Sequence, residues 1–546
     1  MKIIRLLLVL IATVTVLSAQ AHKVEMKMSQ CSTPLAVNIN NVSRNLSQND
    51  TLIINFDKKG KYYIDRTVRV KCNFELKGLG KDKIKIVLTE GVDNNGRKQF
   101  ANDCYFFLDY PKNGNRGKVS IHDVSVEMER HKNLWWPNHE MHLFKICNAH
   151  KVTIQNTKTS VHNAFITNFD LRSCSNVTVE SNEIINYNNC EGGGCLWMRD
   201  NQRNVEVKNN VFRKYGTDEV IAIWGTERNG SYVIEDVEVS GNTIYYGNYN
   251  NSSMEWIPGM LMSLYHCRDK WVDNSRFMIS NVSINNNDIT LDSPVKFVMM
   301  VKFDDLATTS GISLTNNKIY KSSRCVKSMT SAITDFKIED RSSNNSTITI
   351  SGNESRSEYI DLDKHGMNSS IFISTEQGKM IVNDNHLEYK NGLRFYYITD
   401  KGSEISMKGN YASGLYKLAT VSSDKSIVEE VKINAYDNVF IGDTRLYFKN
   451  VKKGDLNFTN NTFLANDYHI FMQESPDEVS IVFNNNNIKS SIGDGKLCAN
   501  YSGKKIDFRK LEIKDNTFTG LSRASSLLGD FSKSPRKVIS GNLYYK

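Results

Sequence analysis

Proline occurs only seven times in 546 residues, and no long stretch repeats its apolar side chains at the 3.6-residue period of a helix. These two absences exclude a helical bundle and the helical repeat arrays. The leucine spacing of a leucine-rich array is missing as well. Beyond residue 21 no apolar run is long enough to cross a bilayer, so no membrane span is expected. The ten cysteines and eleven histidines never fall at zinc spacing. Charge of one sign does not dominate either: the formal net charge is +9, of which Lys2 and Arg5 contribute two. That balance suits a mixed solvated surface and permits an acidic polymer as partner. It gives no basis for a nucleic-acid partner.

What is there begins with a processing signal. Lys2 and Arg5 make a basic start, Ile3 to Leu17 is apolar, and Ala19-Gln-Ala21 is a small-residue cleavage site before His22. Residues 1–21 therefore read as a signal peptide, and the mature chain is expected to be secreted, periplasmic or extracellular. No cysteine directly follows Ala21, which argues against a lipid anchor. An even number of cysteines in an exported chain permits disulfides. The best local pair is Cys190 with Cys195, because the three glycines between them let so short a loop close. Several other cysteines lie in apolar strands, where buried free thiols are expected equally.

The chain then repeats one phrase. Val177-Thr-Val179-Glu-Ser-Asn182-Glu-Ile184, Val205-Glu-Val207-Lys-Asn-Asn210-Val-Phe212 and Val237-Glu-Val239-Ser-Gly-Asn242-Thr-Ile244 are three copies. Each is a short alternating strand, a tight turn ending in Asn, and a second apolar strand. Further copies place Asn at 156, 287, 317, 353, 385 and 410, irregularly at 438, and again at 461, 486, 516 and 542. The closest neighbours are Asn438 and Asn461, the most distant Asn242 and Asn287. A short fixed phrase with loops of variable length between copies is the mark of a solenoid. Three short strands per coil, stacked about 4.8 Å apart, explain it physically. Alternate apolar residues face inward. An Asn tolerates the left-handed backbone of a sharp turn, and its amide can bond to the Asn of the next coil. These asparagines are accordingly structural, and the many glycosylation sequons around them carry no functional weight.

The Val-x-Val-x-x-Asn-x-Phe phrases resemble those of the right-handed parallel β-helix, the pectate-lyase-like superfamily, over nearly the whole mature chain. The resemblance implies an all-β, single-domain solenoid with an asparagine ladder over 51–546, preceded by an N-terminal leader or cap over 22–50. It also implies that the sheet beyond the variable loop after each Asn turn presents a carbohydrate groove on its outer face. Carried over, that face draws on His139, His142, His162 and Asn163, then Trp197, Arg199 and Asp200. Asp218, Glu219 and Trp224 follow, then Tyr265 and His266, then Lys302, Asp304 and Asp305. Aromatic rings to stack on sugars, with charges for hydroxyls and carboxylates, are what a polysaccharide requires. The aspartate and Gly-His-Gly series of polygalacturonases is absent, as are the Trp-x-Asp-His and Arg-x-Pro-x-x-Arg elements of pectate lyases. Glu191 to Arg199 resembles the glycine-rich, arginine-containing coil of alginate and chondroitin lyases.

Two reactions fit this inventory. β-Elimination on a uronate needs a cation for the carboxylate and a base for the C5 proton. Arg199, Lys214, Arg228, Arg268 and Lys302 offer charge. Lys214, Tyr215, Tyr265 and His266 offer a base. Hydrolysis needs two carboxylates across one bond. Asp218 and Glu219 cannot both face outward from one strand, so a cross-coil pair such as Asp200 with Asp218 or Glu219 is the better arrangement. The catalytic candidates are thus Lys214, Tyr215, Arg199, Asp218, Glu219 and His266. Those for substrate binding are Trp197, Asp200, Trp224, Arg228, Tyr265 and Lys302. The tryptophans serve this role only if they face outward, since a register shift of one residue would make them core fillers. No cofactor is identified; scattered carboxylates leave calcium open, without a ligand set of defining spacing. The expected activity is a polysaccharide lyase on an acidic polymer. A hydrolase and a non-catalytic glycan-binding or adhesin-like protein are the alternatives. Oligomeric state is left open. The final strand, Leu543 to Tyr545, is expected to fold over the last coil or pair with a partner, because a bare coil end is an exposed sheet edge.

Overall fold

The computed structural model describes residues 21–546 except 93–97, 100–103, 113–116, 129–140, 163–165, 188–192, 217–218, 226–230, 248–259, 266–276, 305–306, 328–332, 343, 345, 359–368, 418, 423–427, 443, 450, 466–467, 473–477, 491–497, 501–507, 521–536 and 546. Alternation of apolar and polar residues over five to seven positions makes each strand, and a turn residue ends it. One coil illustrates the unit: Lys151–Gln155, Lys158–His162 and Ile166–Arg172. They belong to three different parallel sheets, called I, II and III here. Each pairs in parallel with its counterpart one coil on, Ser175–Glu180, Glu183–Tyr187 and Leu196–Arg199. The result is a right-handed parallel β-helix, the class read from the repeat.

Sheet I runs from Lys23–Lys27 to Lys537–Ser540, and sheet II from Gly60–Ile64 to Leu543–Tyr545. Sheet III runs from Val68–Val70 to Cys498–Asn500. The repeated valines explain the register. Val152, Val177, Val205, Val237, Val282 and Ile312 lie on one another in sheet I, and Ile154, Val179, Val207, Val239, Ile284 and Leu314 form the next inward row. All are buried. A slip of one residue would turn both rows to solvent, so the pairing is strongly specified. Sheet III adds an inward ring stack, with Phe106, Phe144 and Phe169 centroids 4.7 and 5.2 Å apart and nearly parallel.

The turn between sheets I and II divides two tasks that the sequence reading gave to one residue. Ser181, Asn209, Gly241, Asn286 and Asn316 take the left-handed backbone, with φ of 58°, 55°, 63°, 53° and 54°. The residue after each is the buried ladder asparagine. Asn210 Nδ2 donates to Asn242 Oδ1 at 3.0 Å and to the Val179 carbonyl at 2.8 Å, and the Asn210 backbone N–H donates to the same Oδ1 at 2.9 Å. This pattern repeats from Asn182 to Asn516, and Asn542 receives the last of it. Asn438, read as irregular, is an ordinary rung. Asn156 is a correction. It has φ 47° and belongs to the exposed left-handed row, while Thr157 occupies the first rung and donates its N–H to Asn182 Oδ1 at 2.9 Å. Only the position after the left-handed residue points into the coil, where an amide has both a donor and an acceptor to satisfy.

Helix α1 (Leu35–Ser43) lies on the first strands of sheets II and III and buries Leu35, Ala36 and Ile39. The same face tends the edge of the strand it lies on. Asn40 Nδ2 donates to the Thr67 carbonyl at 2.9 Å, Asn40 Oδ1 accepts the Arg69 N–H at 2.8 Å, and Ser43 Oγ donates to the Arg69 carbonyl at 3.0 Å. An edge that would otherwise offer free backbone groups is thereby satisfied. At the other end, Leu543–Tyr545 does not fold over the coil. It continues sheet II beside Thr517–Thr519, leaving Leu543 and Tyr545 about half exposed. Cys195 is a free thiol wholly buried in the core, so the bridge read between it and Cys190 is not formed; Cys190 lies outside the described residues. Among the described residues no helix is long and apolar enough to cross a membrane.

Candidate functional site

Strand Ile166–Arg172 sets the pattern of the outer face of sheet III. Phe169 and Leu171 enter the core, so Asp170 and Arg172 point away from it. Stacking in register extends this into two outward rows. One runs Lys145, Asp170, Trp197, Ala222, Ser263, Met300 and Lys337; the other runs Cys147, Arg172, Arg199, Trp224, Tyr265, Lys302 and Glu339. Basic groups at Lys145, Arg172, Arg199, Lys302 and Lys337 outnumber the carboxylates of Asp170 and Glu339. Aromatic positions lie between them.

The densest part of the face is built on Asp170, which has no exposed surface. Arg199, from the next coil, donates through Nε to Oδ1 and through Nη2 to Oδ2, both at 2.7 Å. Arg172 Nε adds a bond of 2.9 Å to Oδ2. The Arg199 guanidinium carbon lies 4.7 Å from the Trp197 ring and 5.5 Å from the Trp224 ring, and the two rings meet edge to face at 6.0 Å. A guanidinium suits this setting because it is more weakly hydrated than an ammonium and stacks on aromatic faces. His142 Nε2 stands 3.5 Å from Asp170 Oδ2, with its ring 6.3 Å from that of Trp197. His142 Nδ1 has no hydrogen-bond partner among the described residues.

Burial sets the charge states. It pushes His142 down to about 3, against which the Asp170 carboxylate acts in the opposite sense, so the imidazole is neutral at ordinary pH. Burial alone would raise the Asp170 carboxyl, but His142, Arg199 and Arg172 around it hold it below its usual value. Burial raises the neighbouring Cys147 thiol to about 12, which removes it as a nucleophile. Further along, Lys302 and Lys337 share Glu339 at 3.2 and 2.8 Å, and Lys337 lies over the Phe297 ring at 4.2 Å. That group keeps an excess positive charge.

The structure brings together Arg199, Trp197 and Trp224, and places Tyr265, by its backbone register, between Trp224 and Lys302. It separates others. Lys214 belongs to sheet II, faces the interior with no exposed surface, and donates to Asn186 Oδ1 at 2.9 Å and to the Gly193 carbonyl. It is therefore not a base open to a groove. Tyr215 is also on sheet II, on its outer face. It is part of a stack in which His162, Tyr187 and Tyr215 lie 4.8 and 4.6 Å apart and nearly parallel, with Tyr245 tilted at 5.6 Å. Rings that cover one another leave few faces for a sugar. His162, read as a groove residue, belongs to this stack instead.

Asp200 has φ 66° and is 3% exposed, forming the corner that leaves sheet III. Glu219 is buried and precedes the next strand, Ile221–Trp224. They lie at opposite ends of the sheet, on the order of 15–20 Å apart at strand rise, which removes the cross-coil hydrolase pair Asp200 and Glu219. Asp218, Arg228, His266, Arg268, His139, Asn163 and Asp305 lie outside the described residues. Among the described residues no three His, Cys, Asp or Glu side chains gather to hold a metal ion.

Asp170 and Arg172 were not singled out from the sequence. Their signal was present in Phe169-Asp-Leu-Arg172, where charges occupy alternate positions of an apolar strand. Their partnership with Arg199 depends on stacking across coils and has no local signature.

No family model matches the chain, and no curated protein matches it. Among solved structures, the "Structure of PL6 family alginate lyase AlyGC" aligns over 96% of this chain and 100% of that one, at 10% identity and a TM-score of 0.20. A likeness at that score decides neither fold nor reaction.

Proposed function

We propose that the protein binds an acidic, uronate-containing polysaccharide along the outer face of sheet III and cleaves it by β-elimination. One observation carries this reading: basic and aromatic residues occupy successive register positions across the coils, from Arg172 through Arg199, Trp224 and Tyr265 to Lys302. Rows spaced about 4.8 Å apart suit an extended polymer lying along the solenoid axis. In the proposed step Lys302 faces the uronate carboxylate and stabilises the charge that develops when the C5 proton leaves. Tyr265 takes that proton. The electron pair forms the C4–C5 double bond and expels the O4 alkoxide, which takes the proton back from the phenol. No water is consumed. Arg172, with Arg199 behind it, binds a neighbouring uronate.

A panel of uronate polymers incubated with the protein tests this, through the ultraviolet absorbance of the unsaturated product. Absorbance that grows with the unmodified protein and is lost in Tyr265→Phe and Lys302→Ala supports the lyase. Reducing ends without that absorbance would replace it with hydrolysis. A second reading, glycan binding without cleavage, is favoured by the ion pairing of Asp170 and Glu339, since neither carboxylate is left as a ready acid or base. Retention of the polymer without any product would establish it.

A further inference from the structure

Within strand Val211–Tyr215, Phe212 and Lys214 face the interior. The inward row that Lys214 joins runs Val161, Asn186, Lys214, Tyr246, Leu291 and Lys321, a buried row in which apolar and polar residues mix. A buried amine is costly without partners, and here the partners lead towards sheet III. Lys214 Nζ donates to the Gly193 carbonyl and to Asn186 Oδ1. Asn186 Nδ2 donates in turn to the Gly194 carbonyl at 3.1 Å, and the Gly194 N–H donates to Thr167 Oγ1 at 3.3 Å. Gly193 has φ 96°, a conformation that favours glycine. Gly194 has no room for a side chain, because a Cβ there would stand 2.2 Å from Trp197 Nε1. The indole thus lies directly on the Gly194 backbone, and Trp197 carries the Arg199 guanidinium on its ring.

We propose that Lys214 is a positioning residue: from inside the coil it fixes Gly193–Gly194 and thereby the placement of Trp197 and Arg199 on the outer face. Its relevance to polymer binding rests on the function proposed above; the anchoring itself does not. The linkage crosses the wall of the solenoid, from an interior amine to an exterior face.

Two variants test it. Lys214→Met removes the amine and keeps the length of the side chain. Lys214→Met with Asn186→Leu also removes the partner left unsatisfied, which relieves the purely energetic cost of the first change. The readout is the near-ultraviolet circular dichroism of the Trp197–Trp224 couplet, assigned by its loss in Trp224→Phe. The expected result is a couplet reduced towards the Trp224→Phe level in both variants, with the far-ultraviolet spectrum and a cooperative melt retained. A double variant that melts like the unmodified protein and keeps the full couplet would overturn the proposal, because Lys214 would then only satisfy buried groups. If neither variant folds, hydrogen exchange on the unmodified protein decides. A Gly194 amide as protected as those of Val205 and Val207 supports the anchor; exchange at solvent-exposed rates overturns it. Polygalacturonate affinity, measured in parallel, is expected to fall with the couplet. Absence of binding by the unmodified protein would count against the polymer reading and leave the couplet to judge the anchor.

Discussion

Arg199 and Asp170 come from successive coils and meet in a two-pronged ion pair, with the carboxylate wholly enclosed and the arginine side chain only 5% exposed. The pair joins two rungs of sheet III by side chains as well as by backbone. Its geometry meets the condition under which a buried ion pair offsets its desolvation, since both carboxylate oxygens are engaged and the guanidinium is stacked.

Removing one partner is therefore expected to be severe. Asp170→Ala or Arg199→Ala should cost about 3–5 kcal/mol, because each breaks the two-pronged pair while one of its charges stays buried. Arg199→Met combined with Asp170→Leu should recover much of that loss. Thermal melts of the three variants check this, and a double variant no more stable than either single one would refute it.

His142 makes a pH prediction with a definite sign. Its folded value, about 3, lies below the ordinary 6.5, so the unfolded chain binds the proton first as pH falls. Stability from this group is complete above about 6.5 and declines through the window between 6.5 and 3. The melting temperature should fall from pH 6.5 to 5, before most carboxylates titrate. His142→Gln should flatten that part of the profile. An unchanged slope would mean that another group is responsible.

Neighbouring turn residues should differ sharply in sensitivity. Asn317 donates to Asn353 Oδ1 and the Ile284 carbonyl, and its own oxygen accepts both donors of Asn287. Asn317→Ala leaves several buried groups unpaired and should cost about 1–3 kcal/mol or more. Asn316 is exposed at φ 54°, and Asn316→Gly should change stability by less than about 1 kcal/mol. Equal effects in denaturation experiments would contradict the division of tasks.

Gly352 offers a steric test of the left-handed row. Its φ is 64°, and a Cβ there would stand 2.2 Å from Asn316 Oδ1. Gly352→Val should lower the melting temperature markedly, whereas Asn209→Gly, at the equivalent position, should be nearly neutral.

If the outer face of sheet III binds a polyanion, Lys302→Ala should weaken binding most at low salt. The loss should shrink as ionic strength rises, since Lys302 is 37% exposed and screened by ions. Affinity measured across a salt series for the variant and the unmodified protein provides the comparison.

The coil was readable because its determinants are local and repeated. Val205, Val207 and Asn210 announce strand, inward face and turn within six residues, and the same announcement recurs until chance is no explanation. Even so, adjacent positions were blurred. The phrase puts Asn156 in the series although Thr157 makes the rung, because which of two turn residues points inward depends on backbone angles that both sequences allow. Trp197, Trp224 and Lys302 enter as groove residues only through the resemblance, and the register of sheet III is what places them on one outer face.

Lys214 and Tyr215 show where such reading stops. Both are catalytic candidates by residue type, yet one faces inward and the other joins a stack on sheet II. Loop length between sheets decides which coil position a residue reaches, and no local pattern encodes it. Asp170 and Arg199 are 29 residues apart, and only the stacking of one coil on the next makes them partners. The sequence by itself determined the repeat, its three strands, its apolar rows and its asparagine rungs, because each follows from residues a few positions apart. Only the tertiary structure decided which charges share a face, since that depends on register between coils and on the loops that set it.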